Sequence, residues 1–526
     1  MNRQEYMVRD LLIKLPFPCS SLGHFVDPSS ASLLGIPQVP SVGKMLFSVL
    51  TLLAGPALAA PPQLSVRASA QAFTSTSDLK YKLSAVDAPV SGAGNPGSTS
   101  TWSLSIDDTE AGYKQTIDGF GGSVTDATVT VINALPSDQR SQLLRELLTS
   151  DGANLSLLRH TIAASDLSGP PAYTYDDNNN NADPSLSGFN LGDRGTAMAN
   201  LLKEMKGIRS DLTIFGSPWS APGWMKLNRV LTGNANDNSL DSQYYSQYAQ
   251  YFVKYLQAYA GLGVTVDAIT IQNEPLNNQG NGMITMYQTA DEAATVTHDY
   301  IGPALRAANL NTQIWAYDHN TDQPSYPQTV INAASEYVQA AAWHCYASNL
   351  DWTVLTDFHN SNPGKSQYMT ECWTSPQTSW YQSSKNTVGP LQNWAEGSLM
   401  WTLGTWTEAS DGTFGPYIQG GCSTCRGLFV VDQNAGTYEY TVDYYMLAQF
   451  SKYIPKGATI LSGSGSYSYD GYSGIQSVAS KNPDGTRTVV VENTFGNDVY
   501  LTLNTTSGQQ WSGNLLANSV TTWILP

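Results

Sequence analysis

Hydrophobic and polar positions change rhythm twice along the chain. Residues 61–101 are rich in Ser, Ala, Gly and Pro, with short strand-like pieces among them. From about Gln115, apolar runs of strand length alternate with stretches of helical period. The strand-like runs fall at 116–121, 155–161, 213–219, 268–272, 313–317, 341–346, 367–370 and 398–403. Helical patterns lie between them at 137–148, 194–206, 243–260, 290–308 and 328–334. Eight strands separated by helices predict an α/β fold of the (β/α)8 TIM-barrel type. Beyond about Ala458 the helical period disappears. The segments 463–471, 486–493, 498–503 and 519–525 alternate with period two between turn residues, which predicts an attached antiparallel β-sandwich. The strand-like 101–106 is expected to complete that sandwich. The domain reading is therefore 60–112 as an N-terminal segment of the β-sandwich, 113–455 as the barrel and 456–526 as the C-terminal sandwich. Polar runs at 176–183 and 234–241 read as exposed loops, candidate walls of a substrate site.

The chemistry follows from where the barrel strands end. In such a barrel the working face is formed by the carboxyl ends of the strands. Those ends present Arg159, Trp219, Asn273 with Glu274, His344 with Tyr346, Glu371 and Trp401, and Asp166 lies just beyond the second strand. Two acids stand out. Glu274 closes Asp267-Ala-Ile-Thr-Ile-Gln-Asn-Glu-Pro275, and Glu371 closes Gln367-Tyr-Met-Thr-Glu371 before Cys-Trp. Two rim carboxylates suit proton donor and nucleophile on a glycosidic bond. Taken singly, each residue has a plainer reading: a Glu before Pro can open a helix, Arg159 can be a structural ion pair, and the Trp residues can be core. Their concentration at one face is the informative signal.

Composition narrows the field. The chain has 526 residues, enough for two domains, and a net charge of −17, which disfavours nucleic acid and anionic membrane as partners. With 13 Trp and 29 Tyr, it has ample flat apolar faces for stacking on sugar rings, although most must be core. Residues 45–59 read as a signal peptide: Lys44 precedes a short apolar run ending in Ala57-Leu-Ala59. The run is too short to span a membrane. Met45 then reads as the true start, residues 1–44 as a gene-model extension, and the mature protein as secreted and extracellular. Removal of the leader with Cys19 leaves Cys345, Cys372, Cys422 and Cys425. Cys422 and Cys425 can close a local disulfide, and no second ligand pair exists for zinc. Cys345 and Cys372 either pair or remain thiols.

Several segments also resemble glycoside hydrolase family 30. They are Asp118-Gly-Phe-Gly-Gly-Ser-Val-Thr-Asp126, Leu158-Arg-His-Thr-Ile-Ala-Ala-Ser-Asp166, Gly216-Ser-Pro-Trp-Ser-Ala-Pro-Gly-Trp-Met-Lys226, Gln272-Asn-Glu-Pro275, Trp343-His-Cys-Tyr346 and Thr370-Glu-Cys-Trp373. Gly188-Phe-Asn-Leu-Gly-Asp-Arg-Gly195, Ala316-Tyr-Asp-His-Asn-Thr-Asp322 and Asn493-Thr-Phe-Gly-Asn497 look like that family's fungal endo-β-1,6-glucanases. The resemblance implies Glu274 as acid/base and Glu371 as nucleophile of a retaining glycosidase. It implies Asn273 on the sugar 2-hydroxyl, Arg159 holding Glu371 ionised, and Asp166 accepting from a sugar hydroxyl. Trp219 and Trp401 would wall the −1 subsite, with His344 and Tyr346 positioning the glutamates. The implied substrate is β-1,6-linked glucan, with no metal or cofactor and a monomeric enzyme. An endo-β-1,6-galactanase, a xylanase and a non-catalytic wall-glucan-binding protein are the alternatives. The mechanism also leads us to expect Glu371 low in pKa and Glu274 raised by its neighbour's charge.

Overall fold

The computed structural model describes residues 69–233, 237–277, 282–463 and 474–526. The leader reading at 45–59 and the stretch before it lie outside the described residues, as do 234–236 and most of the run at 463–471.

Eight parallel strands close into a barrel: Gly119–Val124, Leu157–Thr161, Thr213–Ser217, Ala268–Thr270, Gln313–Asn320, Val338–His344, Ser366–Glu371 and Gly397–Met400. The last pairs with the first, from Gly397 opposite Gly119 to Met400 opposite Gly122. Because side chains alternate along a strand, every second residue points into the barrel. One inward layer is apolar: Leu157, Phe215, Ala268, Trp315, Ala342, Tyr368 and Leu399 pack together. The Trp315 and Tyr368 rings stack there with centroids 4.0 Å apart. Two residues further along the same strands come Arg159, Ser217, Thr270, His344, Thr370 and Trp401. The period-two rule therefore places a mostly polar layer directly above the apolar plug, at the carboxyl end of the barrel.

The predicted strand at 116–121 divides in two. Tyr113–Thr116 leaves the barrel to pair with Thr459–Leu461, and the barrel strand begins at Gly119. Gly119 adopts φ +153°, and a Cβ there would collide with Ser156 Oγ. Only glycine allows the chain to turn at that point.

Helices cover the outside. In Tyr245–Gly261 the residues Tyr248, Tyr251, Tyr255 and Tyr259 are all fully buried, one stripe at helical spacing. His160, next to Arg159 and therefore pointing outward, meets Tyr255 Oη at 2.6 Å; burial pushes it down to about 3 and keeps it neutral. Four helices escape the sequence pattern: Asp126–Ala134, Thr353–Ser361, Gln382–Gln392 and Val442–Ser451. In Gln382–Gln392 the buried face carries Ser383, Ser384, Asn386 and Thr387, so no apolar stripe marks it.

A seven-stranded and a four-stranded sheet form the sandwich. Both ends of the described chain build it: Gln71–Thr76 pairs antiparallel with Ser519–Leu525. One pairing departs from the expected antiparallel pattern. Val499–Thr505 runs parallel to Ser100–Ile106, a register that hairpins cannot make and that strands from opposite ends of the chain can. The loop at 176–183 also differs from expectation: Asn178–Asn181 are exposed, but Asp176 and Asp183 at its two ends are buried.

Candidate active site

Arg159 is the hub of the polar layer. It is wholly buried, and its Nη1 donates to Glu371 Oε2. Its Nη2 donates to Asn273 Oδ1 at 2.6 Å, Asp318 Oδ2 at 2.8 Å and Ser217 Oγ at 3.3 Å. One guanidinium therefore ties the second, third, fourth, fifth and seventh strands together at the pocket floor.

Sequence reasoning missed Asp318. The alternation predicts Tyr317 as the inward residue of the fifth strand, two beyond Trp315. Instead the register slips between Tyr317 and His319, with Tyr317 at φ +83° and Asp318 at φ +62°. This bulge sends Tyr317 outward onto Tyr326, ring centroids 4.8 Å apart, and turns Asp318 inward. Asp318 also accepts from Ser217 Oγ at 2.7 Å, Thr270 Oγ1 at 2.8 Å, Thr370 Oγ1 at 2.7 Å and His344 Nε2 at 2.9 Å. Burial pushes its carboxyl up, but Arg159 and His344 overcome this and hold it well below the usual range. The only sequence signal was the run 316–322, whose predicted strand stopped one residue short.

His344 sits between three carboxylates. Its Nδ1 lies 3.1 Å from Glu274 Oε1 and 3.8 Å from Glu371 Oε1, while Nε2 contacts Asp318. Burial opposes protonation, yet the charge of Glu371 and the contacts to Asp318 and Glu274 push the imidazole up to about 9. Raised in this way, the ring can donate from both nitrogens.

Glu274 emerges at φ +45° just past the fourth strand, its N–H donating to the Asp318 carbonyl at 3.0 Å. Asn277 Nδ2 donates to Glu274 Oε2 at 2.6 Å. Burial raises the Glu274 carboxyl, but the hydrogen bond from His344 and the nearby His319 bring it down to about 2. For Glu371 burial prevails and pushes the carboxyl up, against His344 and Arg159. These directions run against the expected order of Glu371 low and Glu274 raised. The spare proton rests on His344, which the sequence places at the rim without giving its charge. Tyr346 Oη donates to Glu371 Oε1 at 3.0 Å.

One oxygen of Glu274, one of Glu371 and a ring nitrogen of His344 all lie within 4.8 Å of one another. Such a trio can in principle bind a cation. Here the imidazolium has no lone pair to offer and Arg159 already pairs with Glu371, so the set suits acid–base and nucleophilic work better than metal binding.

A cavity of about 590 Å³ opens above these groups, lined also by Asp166, Trp219, Trp373 and Trp401. Trp219 and Trp401 stack on each other, centroids 5.0 Å apart at 28°. They form one continuous apolar wall. The Arg159 guanidinium lies 4.8 Å from the Trp219 ring centre. Asp166 is buried with Oδ1 unpartnered, and Oδ2 accepts a long bond from Cys422 N–H at 3.4 Å. Burial first, then the charge of Glu371, pushes its carboxyl up to about 7. It can donate as well as accept towards a sugar hydroxyl. Cys345–Cys372 and Cys422–Cys425 are both disulfides. The first joins the residues that follow His344 and Glu371, bracing the ends of the sixth and seventh strands. The second lies on the pocket rim beside Asp166.

Comparison with known proteins agrees with this geometry. Residues 117–454 match the glycosyl hydrolase family 30 TIM-barrel domain, and 458–523 match the beta sandwich domain of the same family. An endo-1,6-beta-D-glucanase of Aspergillus fumigatus is 60% identical over 494 residues, covering 92% of this chain and 100% of that protein. One from Trichoderma harzianum is 59% identical over 480 residues, covering 89% of this chain and 96% of its own. Among solved structures, an endo-beta1,6-glucanase superposes with a TM-score of 0.74 at 28% identity, covering 87% of this chain and 99% of the other.

Proposed function

Because the chain belongs to glycosyl hydrolase family 30, we propose that it is an endo-β-1,6-glucanase that retains anomeric configuration. The observation that carries the mechanism is the glutamate pair. Oxygens of Glu274 and Glu371 within 4.8 Å of one another fit the roughly 5–5.5 Å spacing of a retaining pair better than the roughly 6.5–9.5 Å of an inverting one.

The first event is a proton shift from His344 Nδ1 to Glu274 Oε1 along their 3.1 Å contact. It leaves neutral histidine and protonated Glu274, with no change in net charge. Glu371 then attacks the anomeric carbon as a carboxylate, its charge aided by Arg159 and by the Tyr346 hydroxyl. As the glycosidic bond breaks, Glu274 gives its proton to the leaving oxygen. A glycosyl ester on Glu371 results. Glu274, now a base, takes a proton from water, which attacks the same carbon and frees Glu371. Asn273 is held by Arg159 through Oδ1, so its amide N–H faces the sugar 2-hydroxyl. Asp166 reads another hydroxyl, and the joined Trp219–Trp401 wall covers an apolar ring face.

The β-1,6 linkage is supported by the names of the relatives. A secreted enzyme is part of the same reading, supported by the leader-like 45–59 and two disulfides, and a monomer is the accompanying expectation. No helix among the described residues is long and apolar enough to cross a membrane. The test is reducing-end release from a polysaccharide panel, with Glu371→Gln as control. Short β-1,6-linked oligosaccharides from β-1,6-glucan are expected, with none from the variant. Faster cleavage of β-1,6-galactan or xylan would overturn the substrate, and undiminished activity of the variant would overturn the mechanism.

A further inference from the structure

The loop after the second barrel strand holds a group of oxygen atoms that the glycosidase chemistry does not use. Asp176 is 1% exposed, and neither of its carboxylate oxygens has a hydrogen-bond partner. Lys254 contributes only a weak field there, without an ion pair to Asp176 among the described residues, while Asp183 and Asp177 add negative charge. A carboxylate buried in this way is strongly disfavoured unless something positive meets it.

Other oxygens converge on the same point. The position a Cβ would take on Gly188 lies 3.0 Å from Asp176 Oδ1, 3.3 Å from Asp183 Oδ2 and 3.7 Å from Asn178 Oδ1. Glycine leaves that cradle open.

We propose that this loop binds a calcium ion between Asp176, Asn178 and Asp183, over Gly188. All three donors are hard oxygens, two carboxylate and one amide, and calcium accepts six to eight such ligands in irregular geometry, water included. Magnesium demands a tighter octahedron, which a loop of this kind does not preform. Asp183 Oδ2 accepts from Gly188 N–H at 2.6 Å and from Ser187 Oγ at 3.2 Å, so the ion would take the place of the longer Ser187 contact. Asp176 and Asn178 close the remaining distance by side-chain rotation. The ion would brace the pocket: the Asp176 carbonyl accepts from Trp224 Nε1 at 2.8 Å, and Trp224 lies on the same loop as Trp219.

The test uses the full secreted protein, stripped with EGTA and returned to calcium or magnesium chloride, with melting temperature and titration calorimetry as readouts. Calcium at about 1 mM, in the range of extracellular sites, is expected to raise Tm by about 3 °C or more and to bind near one equivalent. Magnesium should give much less. Asp176→Asn should lose the shift. Gly188→Ala keeps every oxygen but puts a methyl group in the cradle, and should lose it too, which guards against misfolding of the first variant. No calcium binding, an equal response to magnesium, or a calcium shift that survives both substitutions would each overturn the proposal.

Discussion

Replacing His344 by Gln tests the proton allocation at the centre of the pocket. In the native fold His344 is pushed from 6.5 up to about 9, and it is wholly buried, so solvent screening does not dilute the effect. A rise of that size corresponds to about 3 kcal/mol. The sign follows from linkage. A raised histidine stabilises the fold fully below pH 6.5, and that contribution disappears as pH climbs through about 9. Between those values the native state holds one proton more than the unfolded chain, so stability should fall by about 1.4 kcal/mol per pH unit. Glutamine cannot titrate. The assay is denaturant unfolding of both proteins at several pH values from 6 to 10, comparing slopes so that titrating groups remote from His344 cancel. The native protein should lose about 3 kcal/mol more than the variant across this range. The variant should also be less stable at pH 6, because Asp318 and Glu274 lose their cationic partner. A variant that keeps the native slope would refute the assignment of the proton to His344.

Three further outcomes follow from the same geometry. Asp166→Asn should raise Tm at pH 7 and above while raising KM: the Asp166 carboxyl is pushed up to about 7, so the native protein loses stability as pH climbs from about 4 towards 7, and an amide avoids that cost; a lower Tm at pH 7.5 would count against it. Glu274→Ala should lower kcat about 10²–10⁴-fold. With an activated substrate, azide should restore turnover and yield a β-glycosyl azide; absence of rescue would remove Glu274 from its acid/base role. Paired Cys345→Ser and Cys372→Ser substitutions should cost about 2–4 kcal/mol in unfolding and loosen the ends of the sixth and seventh strands, read as a lower kcat; unchanged stability and kcat would make that bridge incidental.

Much of the site is legible in the chain because a parallel barrel converts sequence into position. Strands that end in Arg159, Glu274, His344 and Glu371 must place those residues at one rim, and period two puts Arg159, Thr270 and Thr370 above an apolar layer. The segments around both glutamates were distinctive enough to be read without coordinates. Pattern reading failed where the backbone breaks its own rule. Gly119 splits a strand that hydropathy joins, and the polar but buried face of Gln382–Gln392 hides a helix.

The sequence by itself determined the layers: eight strand–helix units, a terminal sandwich, and an acid pair at the carboxyl rim. Those features follow from local alternation and from strand order, which one chain carries along its length. Tertiary structure decided three other things. It turned Asp318 inward through two residues at positive φ, a choice that packing over-determines and that periodicity points away from. It joined Trp219 and Trp401, from the third and eighth strands, into one wall. It also set the proton on His344 and not on Glu274, because a proton's place depends on the summed field of Arg159, Asp318, Glu274 and Glu371, and that field exists only once the strands have brought those charges within a few ångströms of one another.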